Sequence, residues 1–159
     1  MTACERERLI EKRKRRREME IRFIEQKDVK MLCNLLEKLQ EERGNLEVLE
    51  ETVKKLQEKE EYGLFGAFVD GMLVGFVMGI CCQDVCGACK RFLVIENVIV
   101  EEAYHGQRVA QQLFEALESW SKEKKCYYAI LVSGMARERA HHFYQKIGYT
   151  KEGGFRKYY

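Results

Sequence analysis

Ile95-Glu96-Asn97-Val98-Ile99-Val100, then Glu101-Glu102-Ala103-Tyr104-His105-Gly106-Gln107-Arg108-Val109-Ala110, then an amphipathic run to Lys124, form the most informative stretch of the chain. The stretch reads as an apolar strand, a short loop containing Gly106, and a helix. A loop that turns straight into a helix aims several backbone N–H groups at one spot, and the helix dipole adds partial positive charge there. Such a spot binds phosphate. About thirty residues on stands Ala140-His141-His142-Phe143-Tyr144-Gln145-Lys146-Ile147-Gly148-Tyr149, a second helix closed by a glycine.

Hydrophobic periodicity outlines the elements on either side. Ile21 and Phe23 alternate with charged residues, as in a half-buried strand. Asp28 is placed to cap a helix carrying Val29, Leu32, Leu35, Leu36 and Leu39, with Gly44 at its end. Leu46, Leu49, Val53 and Leu56 mark a second helix. Leu64–Val69 and Met72–Met78 flank Asp70-Gly71, a dipeptide that supplies the positive φ angles of a two-residue hairpin. Cys81 to Cys89 reads as a loop. Phe92–Val100 is nearly all apolar and is expected to be central and buried on both faces. Val109, Leu113, Phe114, Leu117 and Trp120 share one helix face, Tyr127–Val132 is a strand, Arg137–Lys146 a helix, and Phe155–Tyr159 a last strand. The expected order is β-α-α-β-β-β-α-β-α-β, an α/β (α+β) domain with a mixed, mostly antiparallel sheet flanked by helices.

A chain of 159 residues fits one such domain, and 46% apolar with 34% charged residues is an ordinary globular balance. No run of about 18 apolar residues is present, so no membrane partner is expected. The charged N-terminus argues against secretion, and seven cysteines, an odd number, suggest reduced thiols in a cytoplasmic protein. Residues 1–18 carry net charge +4 against +2 for the whole chain, leaving −2 for residues 19–159. The basic character therefore sits in an N-terminal extension, 1–18, ahead of the domain, 19–159. With only Leu9 and Ile10 as large apolar residues, a helix there would be exposed or frayed. A basic arm attracts phosphate, but it lacks interleaved aromatic residues, and no nucleic-acid partner is expected. Cys81-Cys82-x-x-x-Cys86-x-x-Cys89 contains a spacing used by zinc ligands, but there is no second distant pair and no metal is expected.

Val100-x-x-x-Tyr104-His105-Gly106-Gln107-Arg108-Val109-Ala110-x-x-Leu113 resembles the acyl-CoA pyrophosphate loop of the GNAT superfamily of N-acetyltransferases, and Ala140-x-x-Phe143-Tyr144-x-Lys146-x-Gly148-Tyr149 resembles that family's second motif. The resemblance covers roughly Ile21 to Tyr159. His105 takes the place of the family's Arg or Gln, Arg108 stands where its first glycine is written, and Ala110 fits the last position. The resemblance implies acetyl-CoA as co-substrate and a small-molecule or peptide amine as acceptor. It implies that His105, Gly106, Gln107, Arg108, Val109, Ala110 and Gln111 bind the phosphates, with Arg137 as a further candidate. Backbone groups of Val98, Ile99 and Val100 would hold the pantetheine arm where Phe92–Val100 and Tyr127–Val132 diverge. An ammonium must lose a proton before it attacks a thioester, which gives Glu96 the role of general base. Tyr144, which would also contact the coenzyme, would protonate the departing thiolate, so that transfer is direct. The family also leaves a homodimer open.

Without the resemblance these residues have plainer readings. Glu96 is then a buried carboxylate paired with a lysine, Tyr144 a core tyrosine, His105 and Gly106 turn residues, and Arg137 a solvated helix residue. Two other functions also fit parts of the chain: a non-catalytic acyl-CoA-binding module, and a nucleic-acid-associated protein targeted by the basic arm. The acceptor pocket would be built from residues 25–60 and the Cys81–Arg91 loop.

Overall fold

The computed structural model describes residues 19–40 and 43–159; the expected helix in the basic arm lies outside these residues. Five strands and four helices follow one another as β1 (Met19–Phe23), α1 (Val29–Gln40), α2 (Leu46–Gln57), β2 (Tyr62–Val69), β3 (Met72–Gln83), β4 (Arg91–Val100), α3 (Val109–Glu123), β5 (Cys126–Leu131) and α4 (Glu138–Lys146). Single 3₁₀ turns precede α1, at Gln26–Asp28, and follow β4, at Glu102–Tyr104. The strands lie in sequence order in one sheet, antiparallel from β1 to β4 and parallel between β4 and β5. That parallel step needs a crossover, which α3 provides.

Alternation along β2 and β3 feeds two cores. Phe65, Ala67, Val77 and Cys81 point to one face with Val109, Leu113, Phe114 and Leu117 of α3. Leu64, Phe68, Leu73 and Phe76 point to the other with Val29, Leu32, Leu35 and Val53 of α1 and α2. A track of glycines lets α3 press close to the sheet. A Cβ at Gly79 would lie 2.5 Å from Leu117 Cδ1, at Gly75 2.9 Å from Val109 Cγ1, and at Gly63 2.9 Å from Trp120 Cζ3. The hairpin turn is as expected, with φ 51° at Asp70 and 77° at Gly71.

Several local expectations need correction. The loop expected from Cys81 to Cys89 begins only after Gln83, because Cys81, Cys82 and Gln83 pair with β4 as the end of β3. Asp28 does not cap α1 through its side chain. It accepts from Arg22 Nη1 at 2.7 Å, from Arg22 Nη2 at 3.1 Å and from the Glu25 backbone at 2.8 Å, tying β1 to the turn before α1. Burial alone would raise this carboxyl; the hydrogen bonds from Arg22 and the Glu25 N–H, with the nearby cations, hold it below the ordinary aspartate value. β4 is not the strand buried on both faces. Only Leu93 and Ile95 are buried on it, whereas β2 is buried from Gly63 to Val69, because β2 has a strand on each side and a helix layer on each face. Phe155–Tyr159 forms no strand and is exposed throughout. Gly153 and Gly154 precede it, and glycines weaken a strand that has no ladder to join. The residues that would close α1 before Gly44 lie outside the described residues, and Gly44 itself accommodates no positive φ.

Candidate active site

Pairing between β4 and β5 stops at Ile95–Leu131, while β4 runs on to Val100. Residues 96–100 therefore have no β5 neighbour, and a cleft opens on that edge. Glu96 is the first residue beyond the last pair. On its other edge β4 carries an extra residue, since the register with β3 jumps from Met78–Glu96 to Phe76–Ile99. Asn97 absorbs it with a φ of 55°, a left-handed conformation that Asn tolerates better than most residues. The bulge turns two consecutive side chains to the α1–α2 face. Glu96 lies opposite Met78, which packs into the core under α1 and α2, and Asn97 lines a cavity of about 290 Å³ with Cys33, Glu37, Asn45, Val48 and Thr52. Val98 and Val100 turn the other way, against the α3–α4 core, and Ile99 packs with the α1–α2 core.

The loop after β4 is held at several points. Glu101 N–H donates to Val74 O at 2.8 Å, and Lys38 Nζ of α1 pairs with Glu101 Oε1 at 2.5 Å. The His105 ring folds back, its Nε2 2.9 Å from Val100 O. Gln107 Nε2 donates to Ala103 O at 3.0 Å. Gly106 has φ 75°, and Arg108, as N-cap of α3, has φ 64° and ψ 15°. Arg108 thus adopts the left-handed backbone that a glycine takes without strain. Its guanidinium lies along the helix, Nε donating to Gln111 Oε1 at 3.3 Å, and Gln111 Nε2 donates in turn to Glu115 Oε1 at 2.9 Å. Val109 is buried against the sheet and Ala110 half-buried. Among the described residues, no acceptor is bonded to the backbone N–H of Arg108, Val109, Ala110 or Gln111. These four donors sit at the positive end of the α3 dipole.

α4 supplies the third wall. Arg137 is its exposed N-cap, and Tyr144 is buried on its inner face, 5.8 Å from the Phe114 ring. The helix ends as a Schellman motif: Tyr149 N–H donates to Tyr144 O at 2.9 Å, Gly148 N–H to Gln145 O at 3.1 Å, and Gly148 has φ 100°. Tyr149 Oη donates to Glu118 Oε1 at 2.9 Å, which fixes the end of α4 to α3. Burial raises the Tyr144 phenol above its ordinary value, and the Arg137 cation moderates the rise. Among the described residues, no hydrogen bond is made by Tyr144 Oη or by Ser133 Oγ, and the latter is fully buried. Ser133 lies just past β5, on the second limb of the cleft.

The structure brings Val98, Val100, Tyr144 and the start of α3 to one side of the sheet and places Glu96 on the other, with the cleft between. Glu96 makes no ion pair among the described residues. Sequence reading missed Asn97 and Ser133. For Asn97 a signal was present, a turn-favouring residue inside an apolar strand; for Ser133 there was none. Among the described residues, no three His, Cys, Asp or Glu side chains converge as metal ligands, and no helix is long and apolar enough to cross a membrane.

A family model described as the acetyltransferase (GNAT) family matches residues 29–149. Among solved structures, the chain is similar to an acetyltransferase from Trypanosoma brucei, with a TM-score of 0.78 and 22% identity over 89% of this chain and 99% of that one. It is similar to glucosamine-6-phosphate N-acetyltransferase from Arabidopsis thaliana, with a TM-score of 0.80 and 18% identity over 89% of this chain and 98% of that one. It is also similar to an aminoglycoside N-acetyltransferase in complex with CoA, with a TM-score of 0.78 and 18% identity over 89% and 94% of the two chains. No curated protein matches the chain significantly. With its divergent β4–β5 edge, the unsatisfied N–H groups at the start of α3, and a family match across most of its length, this chain belongs to the GNAT family of acetyltransferases.

Proposed function

We propose that this chain transfers an acetyl group from acetyl-CoA to a primary amine by direct attack. The observation that carries the proposal is the end of β4–β5 pairing at Ile95–Leu131, which leaves the edge of β4 unpaired as far as Val100, on the way to the four unbonded N–H groups of α3. The pyrophosphate fits those donors, and the Arg108 guanidinium is close enough in sequence to swing from Gln111 onto it. The free edge of residues 98–100 offers backbone groups to the pantetheine amides. The orphaned Ser133 hydroxyl supports the same placement, because a buried polar atom without a partner is suited to a ligand.

Glu96 takes a proton from the ammonium, directly or through water. The freed nitrogen lone pair attacks the thioester carbon; a C–N bond forms and the C–S bond breaks. The thiolate leaves with the Tyr144 proton. The second nitrogen proton and the one held by Glu96 both pass to solvent, from which Tyr144 recovers its own. Two protons leave nitrogen, one ends on CoA and one in water. A backbone N–H of residues 98–100 polarises the carbonyl oxygen. The cavity beside Asn97 receives the body of the acceptor.

A broad amine screen that reads released CoA thiol tests the proposal. Turnover with at least one amine, lost in Glu96→Gln and Tyr144→Phe, is the expected result. Full activity in both variants removes the two roles, and coenzyme binding without turnover across the whole panel favours a non-catalytic module.

A further inference from the structure

We propose that Cys81 and Cys126 form a thiol–disulfide modification site, in which a small-molecule disulfide oxidises the pair to a bond joining β3 to β5 across β4. Among the described residues this is the one place where two cysteine sulfurs meet: Cys126 Sγ lies 3.5 Å from Cys81 Sγ. The other thiols are elsewhere. Cys82 turns its Sγ toward Ile80 O, Cys89 toward Val85 O, Cys86 is exposed in the loop, and Cys33 is buried on α1. The pair sits at the closed end of the cleft, where Arg91 and Cys126 are register partners, and not at the open end beyond Ile95.

The two thiols differ in access. Cys81 is buried and Cys126 half-buried, at the first residue of an edge strand. Burial, then the neighbouring Cys126 thiol, push Cys81 up to about 12, while Arg91 and Lys124 pull the other way. Cys126 therefore attacks first. It gives its proton to solvent and attacks one sulfur of the incoming disulfide; that S–S bond breaks and one thiolate leaves. Cys81 then loses its proton and attacks Cys126 Sγ, and the second thiolate leaves. The protein loses two protons and two electrons, and the oxidant becomes two thiols. From 3.5 Å the sulfurs must close by roughly 1.5 Å to reach bonding distance, and because β4 lies between β3 and β5, with neighbouring strands about 4.8 Å apart, the start of β5 must shift toward β3 as the bond forms.

The bond would constrain the unfolded chain over a sequence separation of 45 residues. The test uses the full chain and oxidised glutathione. Expected are a mass loss of two hydrogens, a peptide map linking Cys81 to Cys126, reversal by a reducing agent, and a rise in Tm of roughly 5 °C or more. The Cys126→Ser variant should lose all four, and the Cys86→Ser/Cys89→Ser double variant should keep them. If Cys126→Ser folds poorly, the peptide map of the unmodified chain decides by itself. A stable glutathione adduct on Cys126, a link between other cysteines, or unchanged alkylation of Cys81 and Cys126 after oxidation overturns the proposal.

Discussion

The ring of His105 lies 2.9 Å from the carbonyl oxygen of Val100, so the residue that heads the proposed phosphate loop also pins that loop to the end of β4. One side chain thereby joins the strand that would hold pantetheine to the helix that would hold pyrophosphate. His105→Ala should loosen this junction and raise the dissociation constant for acetyl-CoA about fivefold, the equivalent of about 1 kcal/mol for one hydrogen bond. Tm should change little, because the loop is exposed. Calorimetry beside a thermal melt checks it, and an unchanged constant removes the link.

Arg108 holds a left-handed backbone, with φ 64°. That conformation costs a non-glycine residue roughly 1–2 kcal/mol, and more for a β-branched one. Arg108→Gly should therefore keep or raise Tm, and Arg108→Val should lower it. The same Arg108→Gly variant should weaken acetyl-CoA binding, because it removes the guanidinium from the proposed phosphate site. Equal Tm values for the two variants would show that the strain is relieved elsewhere.

These two residues show where sequence was legible and where it was not. The position of Arg108 in the loop was readable, since the strand–loop–helix pattern placed it at the start of α3. Its conformation was not, because an arginine does not announce a positive φ as a glycine does. The core was legible for the same periodic reason. Val109, Leu113, Phe114 and Leu117 recur at helical spacing and are all buried. The burial of β4 was misjudged because apolar composition does not report whether a neighbouring strand continues, and β5 stops pairing at Leu131. The Asn97 bulge, which sets Glu96 and Asn97 on one face, depends on a β3 register that is fixed only when the strands pair. The tail from Phe155 looked like a strand by local propensity, and propensity alone does not form a ladder.

Ser133 offers a test in which stability and function move oppositely. Its hydroxyl is buried without a partner among the described residues. Ser133→Ala should leave Tm unchanged or raise it, since an unsatisfied polar atom is removed. If that hydroxyl meets the coenzyme, the same variant should bind acetyl-CoA several-fold more weakly. Loss of both stability and binding would instead mean that Ser133 is structural.

Tyr144 bears on the pH profile. Burial favours its neutral form, so its folded value lies above the ordinary 10.0. The phenol is then protonated, and able to donate, across the neutral and mildly alkaline range. Any fall in kcat/KM caused by its ionisation should begin only above pH 10. The stability that its burial contributes should likewise be full below pH 10 and be lost as pH rises through the raised folded value. Tyr144→Phe should lower kcat by about 10²-fold or more, with acetyl-CoA binding little changed. A wild-type alkaline limb near pH 8 that disappears in Tyr144→Phe would contradict the assignment.

The most direct measurement is isothermal titration of the full-length protein with acetyl-CoA and, separately, with CoA. Seating of the nucleotide in the opening beyond Ile95–Leu131 should give saturable heat at one site per chain, together with a rise in Tm that grows with ligand concentration. The absence of heat and of any Tm shift with both ligands would contradict it.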